Sequence, residues 1–347
     1  MKIFKLLFYN LLIFFLFLIL IETIFGYWFD KNSLGPYMRE HRLKKVNYSL
    51  KYKDQNYNYI YKRNYYGFRG DDVELNNIKA ILVGGSTTDE RYKPYDLTIV
   101  GQLNKKFAEK KIKFKIVNAG IEGQSTIGHI HNFENWFPRL KEFKPDFIIF
   151  YIGINDSLIN PQENKSTNGH VLNPSRFERF KDNIKSRSVF YDLLRKIKHK
   201  YYDRKEKLIY DFDHALNNPK KKKTSFMDFD EALQKHDVKK LLIENSKLIE
   251  NYLSNIDKLV NYSEKLNAKP IFINQLTEEG SSFKNLFIMN YSLINHCVKK
   301  NYNCIDLARK LKGKNEFWWD GIHTTPEGSI NISNIIFPEL LNLIRKD

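Results

Sequence analysis

The sequence predicts an α/β fold, a doubly wound three-layer α/β/α domain built on a parallel sheet of about five strands. Apolar runs bounded by turn residues recur along the chain with helical patterns between them: AILVGG (80–85), FKIVNAG (114–120), DFIIFYIG (146–153), KPIFIN (269–274) and YNCIDL (302–307). Strands that are apolar throughout are buried on both faces, which is typical of a parallel sheet covered by helices. A ligand site is therefore expected beyond the carboxyl ends of these strands.

The composition suits a folded protein with a basic surface. The chain of 347 residues is long enough for one large domain with appendages, and its 42% hydrophobic residues suffice for a core. The net charge is +17, but the lysines are spread along the chain and interleaved with acidic residues. A nucleic-acid interface concentrates its basic residues on one face, so no nucleic-acid partner is expected.

Residues 1–27 are predicted to form an uncleaved signal anchor, a single transmembrane helix. Lys2 and Lys5 precede the apolar stretch LLFYNLLIFFLFLILIETIF. As a helix this stretch spans about 30 Å, the thickness of the hydrocarbon layer. No A-x-A-like cleavage site follows it, and Tyr27 and Trp28 suit the membrane interface. The protein is expected to contact the membrane through this helix.

The sequence gives conflicting indications of which side of the membrane the chain beyond the anchor lies on. More positive charge follows the apolar stretch than precedes it, at Lys31, Arg39, Arg42, Lys44 and Lys45. That asymmetry opposes export, but large domains translocate largely regardless of charge. The short basic N-terminus also resembles the first region of a signal sequence. The chain beyond the anchor is therefore expected on the periplasmic or extracytoplasmic side.

Beyond the anchor we expect a connector over 28–78, packed on a main domain over 79–347. Alternating tyrosines at Tyr57, Tyr59 and Tyr61 indicate a short strand in the connector. Helical patterns in the main domain cover 95–111, 127–143 and 238–266, and Thr325 followed by Pro326 indicates the start of a last helix.

The stretch from about 160 to 235 interrupts the alternation and is predicted to be an insertion. It carries a basic helical pattern, SVFYDLLRKIKHKYY, and a lysine run at 220–223. The lysine run favours a solvated loop over a binding patch. Whether the insertion acts as a lid is left open.

Residues whose side chains or backbone N–H groups could take part in catalysis follow the predicted strands. They are Ser86 after the first strand, Gly120 and Gly123 after the second, Asn155 and Asp156 after the third, and Asp320 and His323 before the last helix. Taken alone, each has a structural explanation, such as a helix cap, a turn glycine or a hydrogen-bonded pair. Together they meet the needs of one reaction type. A serine hydroxyl is a poor nucleophile until an oriented histidine removes its proton, and the resulting oxyanion needs donors in place.

In these residues the sequence resembles the SGNH/GDSL hydrolase family. GGSTT matches the serine block, NAGIEGQ the glycine block, GIND the asparagine block and DGIH the Asp-x-x-His block, and the resemblance covers roughly 79–345. It implies a flavodoxin-like fold, a catalytic triad of Ser86, Asp320 and His323, and an oxyanion hole of Ser86, Gly123 and Asn155. The upstream NYYGFRG also resembles membrane-anchored bacterial members.

The serine block departs from the family's best-known form, because Gly85 stands where Gly-Asp-Ser has an aspartate. A Gly-Gly-Ser block occurs in a large bacterial subset, so the nucleophile assignment is kept and the ester is left open. In the glycine block Gly123 is preferred to Gly120, because it lies five residues after Asn118, as in the family pattern.

The resemblance implies a serine esterase that removes O-acyl groups, such as acetyl, from a cell-surface glycan or lipid. An O-acyltransferase using the same acyl-serine is an alternative, and a non-catalytic glycan-binding protein is a weaker one. None of these needs a cofactor or a metal. For the enzyme, activity should fall as pH drops through the titration range of the histidine.

Several other residues are not assigned to the site. His129 and His131 form H-x-H at a predicted loop-to-helix junction without further ligands, and Asp89 is expected at the surface. Cys297 and Cys304 match no metal-binding pattern, and their pairing is left open. The oligomeric state is also left open.

Overall fold

The computed structural model describes residues 2–29, 34, 37–42, 44–159, 175–194, 197, 209–218 and 225–345. Lys31 and the lysine run at 220–223 lie outside these residues. The chain forms two compact units. One comprises Met1–Glu40 and Asn173–Leu208, and the other comprises His41–Leu172 and Ile209–Asp347.

The larger unit contains all the strands of the described chain. They are β1 (Lys44–Tyr52), β2 (Gln55–Arg63), β3 (Ala80–Gly84), β4 (Ile116–Asn118), β5 (Phe147–Ile152), β6 (Ile209–Asp211), β7 (Lys269–Asn274) and β8 (Asn303–Ile305). Five of them form a parallel sheet in the order β4-β3-β5-β7-β8. The order reverses at β3, as in a doubly wound sheet, and it confirms the predicted fold class.

Helices flank this sheet and form the second main set of elements. Helices in the described part of the chain include, in chain order, α1 (Lys2–Phe25), α2 (Ser86–Asp89), α3 (Ile99–Glu109), α4 (Thr126–Asn135), α5 (Ile154–Ser157), α6 (Arg176–Arg187), α7 (Phe212–Leu216), α8 (Phe229–Lys235), α9 (Val238–Glu244), α10 (Ser246–Lys265), α11 (Lys284–Lys300), α12 (Leu307–Lys310) and α13 (Pro326–Arg345). The side chains of the central strands β3 and β5 are buried along their whole length, as their apolar sequences predict.

Three predicted helices are shorter than their hydrophobic patterns. The pattern at 238–266 divides at Asn245, whose backbone leaves helical geometry between α9 and α10. The pattern at 95–111 begins with a 3₁₀ turn, because the Thr98 hydroxyl accepts a hydrogen bond from the Gly101 N–H and caps α3 there. The pattern at 127–143 ends at Asn135, and a 3₁₀ turn containing Pro138 follows.

The segment between residues 41 and 78 contains a hairpin rather than one short strand. Strands β1 and β2 pair antiparallel from Lys44 opposite Arg63 to Tyr52 opposite Gln55. The short strand β6, which comes from the predicted insertion, pairs parallel with β1. This second sheet places Tyr61 and Arg63 in the buried interior, beside the turn that follows β3.

The smaller unit contains α1, an apolar helix long enough to cross a membrane. Residues Ile3–Phe25 meet the length and composition of a span, and the helix is near the N-terminus. Nearly all of its large apolar side chains are exposed to the surroundings. This helix could serve as a membrane anchor or as a signal sequence.

Cys297 and Cys304, left unassigned by their spacing, form a disulfide bond in the larger unit. The bond joins the last turns of α11 to the edge strand β8, and the two Cα atoms lie 6.3 Å apart.

Candidate active site

Ser86 stands at the first position of α2, directly after the carboxyl end of β3. Gly84 and Gly85 before it are required by close packing. A Cβ on Gly84 would lie 2.1 Å from Thr88 Oγ1, and one on Gly85 would lie 2.2 Å from Asn155 Nδ2. The two glycines therefore let the chain turn tightly and bring the Asn155 amide against the backbone that precedes the serine.

A continuous hydrogen-bond chain joins Ser86, His323 and Asp320. His323 Nε2 lies 2.8 Å from Ser86 Oγ, and His323 Nδ1 lies 2.6 Å from Asp320 Oδ2. The other carboxylate oxygen of Asp320 accepts the backbone N–H groups of His323, at 2.8 Å, and Ile322, at 3.2 Å. The carboxylate thus holds both the ring and its backbone, and it selects the tautomer whose bare Nε2 faces the hydroxyl.

The electrostatic environment keeps Asp320 ionised. Burial by itself raises the pKa of this carboxyl, but the hydrogen bond from the His323 ring, the electrostatic effect of that ring and the two backbone N–H donors together outweigh burial. The pKa of Asp320 therefore lies below its ordinary value. A carboxylate that stays charged is suited to stabilise an imidazolium beside it.

The two other predicted donors lie beside the serine turn. Asn155, in α5, donates from Nδ2 to the carbonyl oxygen of Gln124 at 2.7 Å, the residue that follows Gly123. Gly123 adopts a φ of +71°, in the region that favours glycine. The Ser86 N–H, at the start of α2, donates no hydrogen bond within the described residues. The serine, glycine and asparagine blocks thus meet at one end of the sheet.

Gly120 has a different place from Gly123. A Cβ on Gly120 would lie 2.4 Å from the backbone nitrogen of Asp89, so this glycine lets the glycine block pack against α2. Its N–H donates to Asn118 Oδ1 at 2.9 Å. Gly120 therefore acts in packing.

Asp156 connects the asparagine block to the glycine block. Its Oδ1 accepts from the Thr126 N–H at 2.9 Å and from the Thr126 hydroxyl at 2.6 Å, where α4 begins. Burial raises the pKa of Asp156 to about 6, while the hydrogen bonds from Thr126 act in the opposite direction. The Asp156 carboxyl is fully buried, and its hydrogen bonds go to Thr126 rather than to Ser86.

Two aromatic rings support the histidine, and neither was identified from the sequence. The Tyr92 ring meets the imidazole edge to face at a centroid distance of 4.9 Å, and Trp319 stacks on it at 6.1 Å. Tyr92 is buried, which raises its pKa well above the ordinary value and keeps the phenol neutral. In the sequence, only proximity to the two blocks indicates a role for these rings, since Tyr92 follows Ser86 by six residues and Trp319 precedes His323 by four.

A buried ion pair lies directly behind the serine and histidine segments. Lys93 Nζ is 2.8 Å from Glu90 Oε1, and both side chains are fully buried. Lys93 also donates to the Thr324 carbonyl oxygen at 2.7 Å and to Ser329 Oγ at 2.6 Å. Glu90 follows α2 and Thr324 follows His323, so this pair ties the two segments together. No motif marked it in the sequence.

The prediction that Asp89 lies at the surface is wrong. Asp89 is buried and pairs with Arg63 Nη1 at 2.8 Å, and it accepts a hydrogen bond from the Tyr61 hydroxyl at 2.9 Å. Arg63 also donates to the Gly120 carbonyl oxygen. The hairpin therefore holds both the serine turn and the glycine block, which sequence spacing alone did not indicate.

His129 and His131 lie within α4 rather than at a loop-to-helix junction. Burial lowers the pKa of His129 to about 3 and that of His131 to about 4, so both are neutral at physiological pH. His129 Nδ1 lies 3.3 Å from Gln124 Oε1. Within the described ranges, no cluster of three or more His, Cys, Asp or Glu side chains is placed to hold a metal ion.

Comparison with known proteins identifies a related family. A family model described as GDSL-like lipase/acylhydrolase matches residues 81–336. No curated protein sequence matches the chain. Similar solved structures include a catalytic variant of an acetylxylan esterase from Geobacillus stearothermophilus, with 14% identity, coverage of 76% of this chain and 94% of that one, and a TM-score of 0.42. A GDSL-like lipase from Bacteroides thetaiotaomicron has 11% identity, covers 78% and 91%, and gives a TM-score of 0.39.

Proposed function

Because the chain belongs to the GDSL-like lipase/acylhydrolase family and is a hydrolase that acts on ester bonds, we propose that Ser86 is its nucleophile, with His323 as base and Asp320 as the residue that orients it. The observation that carries this proposal is the hydrogen-bond chain from Asp320 through His323 to Ser86, with distances of 2.6 and 2.8 Å. Both contacts are within the range in which a proton can pass between heavy atoms.

In the first half of the reaction the Ser86 oxygen attacks the ester carbonyl while its proton passes to His323 Nε2. The carbonyl oxygen becomes an oxyanion, and the ionised Asp320 stabilises the imidazolium that forms beside it. When the tetrahedral intermediate collapses, the C–O bond to the alcohol breaks and the alcohol leaves with the proton from Nε2. The acyl group remains on Ser86.

In the second half, water is deprotonated by His323 Nε2 and attacks the acyl-serine. The carboxylic acid leaves as the proton returns to Ser86. In both halves the oxyanion is proposed to accept hydrogen bonds from the Ser86 N–H, the Gly123 N–H and the Asn155 side chain. The location of Asn155 between Gly85 and Gln124 supports this arrangement.

The proposed substrate is an O-acyl group, such as acetyl, on a glycan or lipid at the cell surface. This part rests on the resemblance to membrane-anchored family members and on the apolar helix α1, which would hold the enzyme at a membrane. Such substrates are presented at membranes and cell walls, within reach of an anchored enzyme.

We place the larger unit on the extracytoplasmic side of the membrane. The disulfide between Cys297 and Cys304 supports this orientation. Structural disulfides form and persist in oxidising compartments and are rare in the cytosol. This evidence is independent of the count of positive charges around the span, which pointed the other way.

The first test of the catalytic proposal is covalent labelling of the full chain, in detergent, with a fluorophosphonate probe. Mass spectrometry should find the probe on Ser86, because only a serine with an adjacent base reacts readily. Ser86→Ala should abolish the labelling, and His323→Ala should weaken it by about 10²-fold or more. Labelling of a different serine in the folded chain would refute the assignment. Assays with a model acetyl ester, with and without a glycan acceptor, then separate hydrolysis from transfer.

A further inference from the structure

The predicted insertion contains an amphipathic helix whose apolar face is exposed among the described residues. In α6 (Arg176–Arg187), Phe177, Phe180 and Ile184 follow one another at spacings of three and four residues and so share one face. Phe177 is 72% exposed and Phe180 is 61% exposed. The helix is well formed, because Ser175 and Glu178 make a reciprocal capping box at its start. A stable helix with an exposed aromatic face indicates a missing partner.

The residues that follow continue this surface. Residues 189–194 are helical, and within them Leu193 is 53% exposed and Leu194 is 66% exposed. From 176 to 194 the sequence has five Lys or Arg and three Asp or Glu, and Arg195 and Lys196 follow directly. Exposed aromatic and aliphatic side chains in a basic, otherwise polar segment are typical of helices that lie in the interface of an anionic membrane.

Hydrogen bonds tie this segment to the end of the membrane helix. The Tyr27 N–H donates to the Arg187 carbonyl oxygen at 2.9 Å. The carboxylate of Glu22, in the last turn of α1, accepts the Val189 N–H at 3.1 Å and the Trp28 indole N–H at 3.2 Å. Glu22 therefore joins the two parts at the level where α1 would leave the hydrocarbon layer.

We propose that Arg176–Leu194, which we call the surface segment, lies on the membrane with its apolar side chains in the lipid. The partner is a bilayer that contains anionic lipid. The argument is continuity, because the exposed face of the surface segment is joined to α1, whose apolar surface requires lipid around it. The basic residues would then meet lipid phosphates. The proposal rests on retention of α1 as an anchor, which is part of the proposed function.

The experiment uses the full chain in vesicles of phosphatidylcholine and phosphatidylglycerol. An environment-sensitive fluorophore is attached through Phe180→Cys. Matched samples carry it through Asp182→Cys, two residues from Phe180 and therefore on the opposite side of α6, and through Lys258→Cys on α10. We expect a blue-shifted emission at position 180 that is lost when the vesicles contain spin-labelled lipid. The probes at 182 and 258 should keep the emission of a water-exposed dye.

Three results would overturn the proposal. The probe at 180 could behave like the two controls, which places the face in water. It could be shielded from water without quenching by lipid, which points to a protein partner. The chain could fail to float with the vesicles, or its mass could show that α1 has been cleaved off. Either result would mean that α1 does not anchor the protein. Fluorophosphonate labelling of Ser86 in the same samples reports the catalytic proposal separately, because the probe positions lie outside the proposed triad.

Discussion

At the scale of single residues, the Lys93 ammonium is buried between the segment that carries Ser86 and the segment that carries His323. Burial lowers the pKa of Lys93 to about 8, and the Glu90 carboxylate acts in the opposite direction. The ammonium is held by that carboxylate and by oxygens of Thr324 and Ser329. Such a group stabilises a structure only while all its partners remain, because an unpaired buried charge is costly.

We predict that Lys93→Met destabilises the protein by about 3–5 kcal/mol, since it leaves the Glu90 carboxylate buried without a counter-charge. The double variant Glu90→Gln with Lys93→Met should recover part of that loss. Urea unfolding followed by circular dichroism measures both. The turnover number of the single variant should also fall, because Thr324 follows His323. Equal stability of the single variant and the unchanged protein would contradict the assigned role.

A second buried group gives stability a dependence on pH. The pKa of Asp156 is raised to about 6 in the folded chain, so the folded state binds the proton more tightly than the unfolded state does. The stabilising contribution of the carboxyl is complete below the ordinary aspartate pKa of about 4, and it is lost as pH rises through about 6.

We predict that Asp156→Asn removes this dependence. The amide oxygen still accepts both hydrogen bonds from Thr126, but it carries no charge to bury. The free energy of unfolding of the variant, relative to the unchanged protein, should therefore rise by up to about 3 kcal/mol between pH 4 and pH 7.5. Denaturant titrations over this range measure the difference. The surface variant Asp146→Asn serves as control, and a flat difference for Asp156→Asn would refute the prediction.

The residues of the candidate site were predictable to different degrees. Ser86, Asn155 and His323 stand in short blocks whose residue types the chemistry requires, and the structure brings these blocks together. Lys93 and Tyr92 carry no such signature, since a lysine or tyrosine in a polar stretch is usually exposed. Their burial depends on contacts with residues more than 200 positions away, which sequence spacing does not reveal.

At the scale of elements, the turn between β3 and α2 fits against α5. The absence of a side chain at Gly85 lets Asn155 Nδ2 occupy the space where a Cβ would stand. In this chain, therefore, the glycine before Ser86 is what allows Asn155 to take its observed position. A residue with a side chain at 85 requires a different placement of that amide.

We predict that Gly85→Ala lowers the turnover number by about 10- to 10³-fold with little change in KM, because it displaces the Asn155 amide, a proposed oxyanion donor. The test is a double-mutant cycle with Asn155→Ala, measured on a model acetyl ester. If the alanine at 85 acts through Asn155, the double variant should be no slower than Asn155→Ala alone. Fully additive losses would show that the two positions act independently.

The strands were easier to predict than the ends of the helices. Continuous apolar runs located all five strands of the parallel sheet. A strand that is buried on both faces has an unbroken apolar sequence, which is easier to recognise than an alternating one. The break at Asn245 lies within an apolar periodicity that continues on both sides of it. The hairpin strand β1 was missed, since its alternating charged and aromatic residues are half exposed.

At the scale of the whole molecule, the proposed orientation can be tested without knowledge of the substrate. We predict that alkaline phosphatase fused after Asp347 is active in bacterial cells, because that enzyme needs an oxidising compartment to form its disulfides. A fusion that lacks residues 1–27 is the matched control and should be inactive. An inactive phosphatase on the full chain, together with a fluorescent green-fluorescent-protein fusion, would place the larger unit in the cytoplasm.

Both edge strands of the parallel sheet are short, at Ile116–Asn118 and Asn303–Ile305. An unpaired edge can template pairing with a neighbouring chain, and short edges limit this hazard. The Arg69 N–H bonds to the Asn118 carbonyl oxygen and covers part of one edge, while the disulfide holds the strand at the other. A protein confined to the plane of a membrane meets its own copies often. Such edges are therefore expected to resist aggregation at the surface density that the proposed anchor would impose.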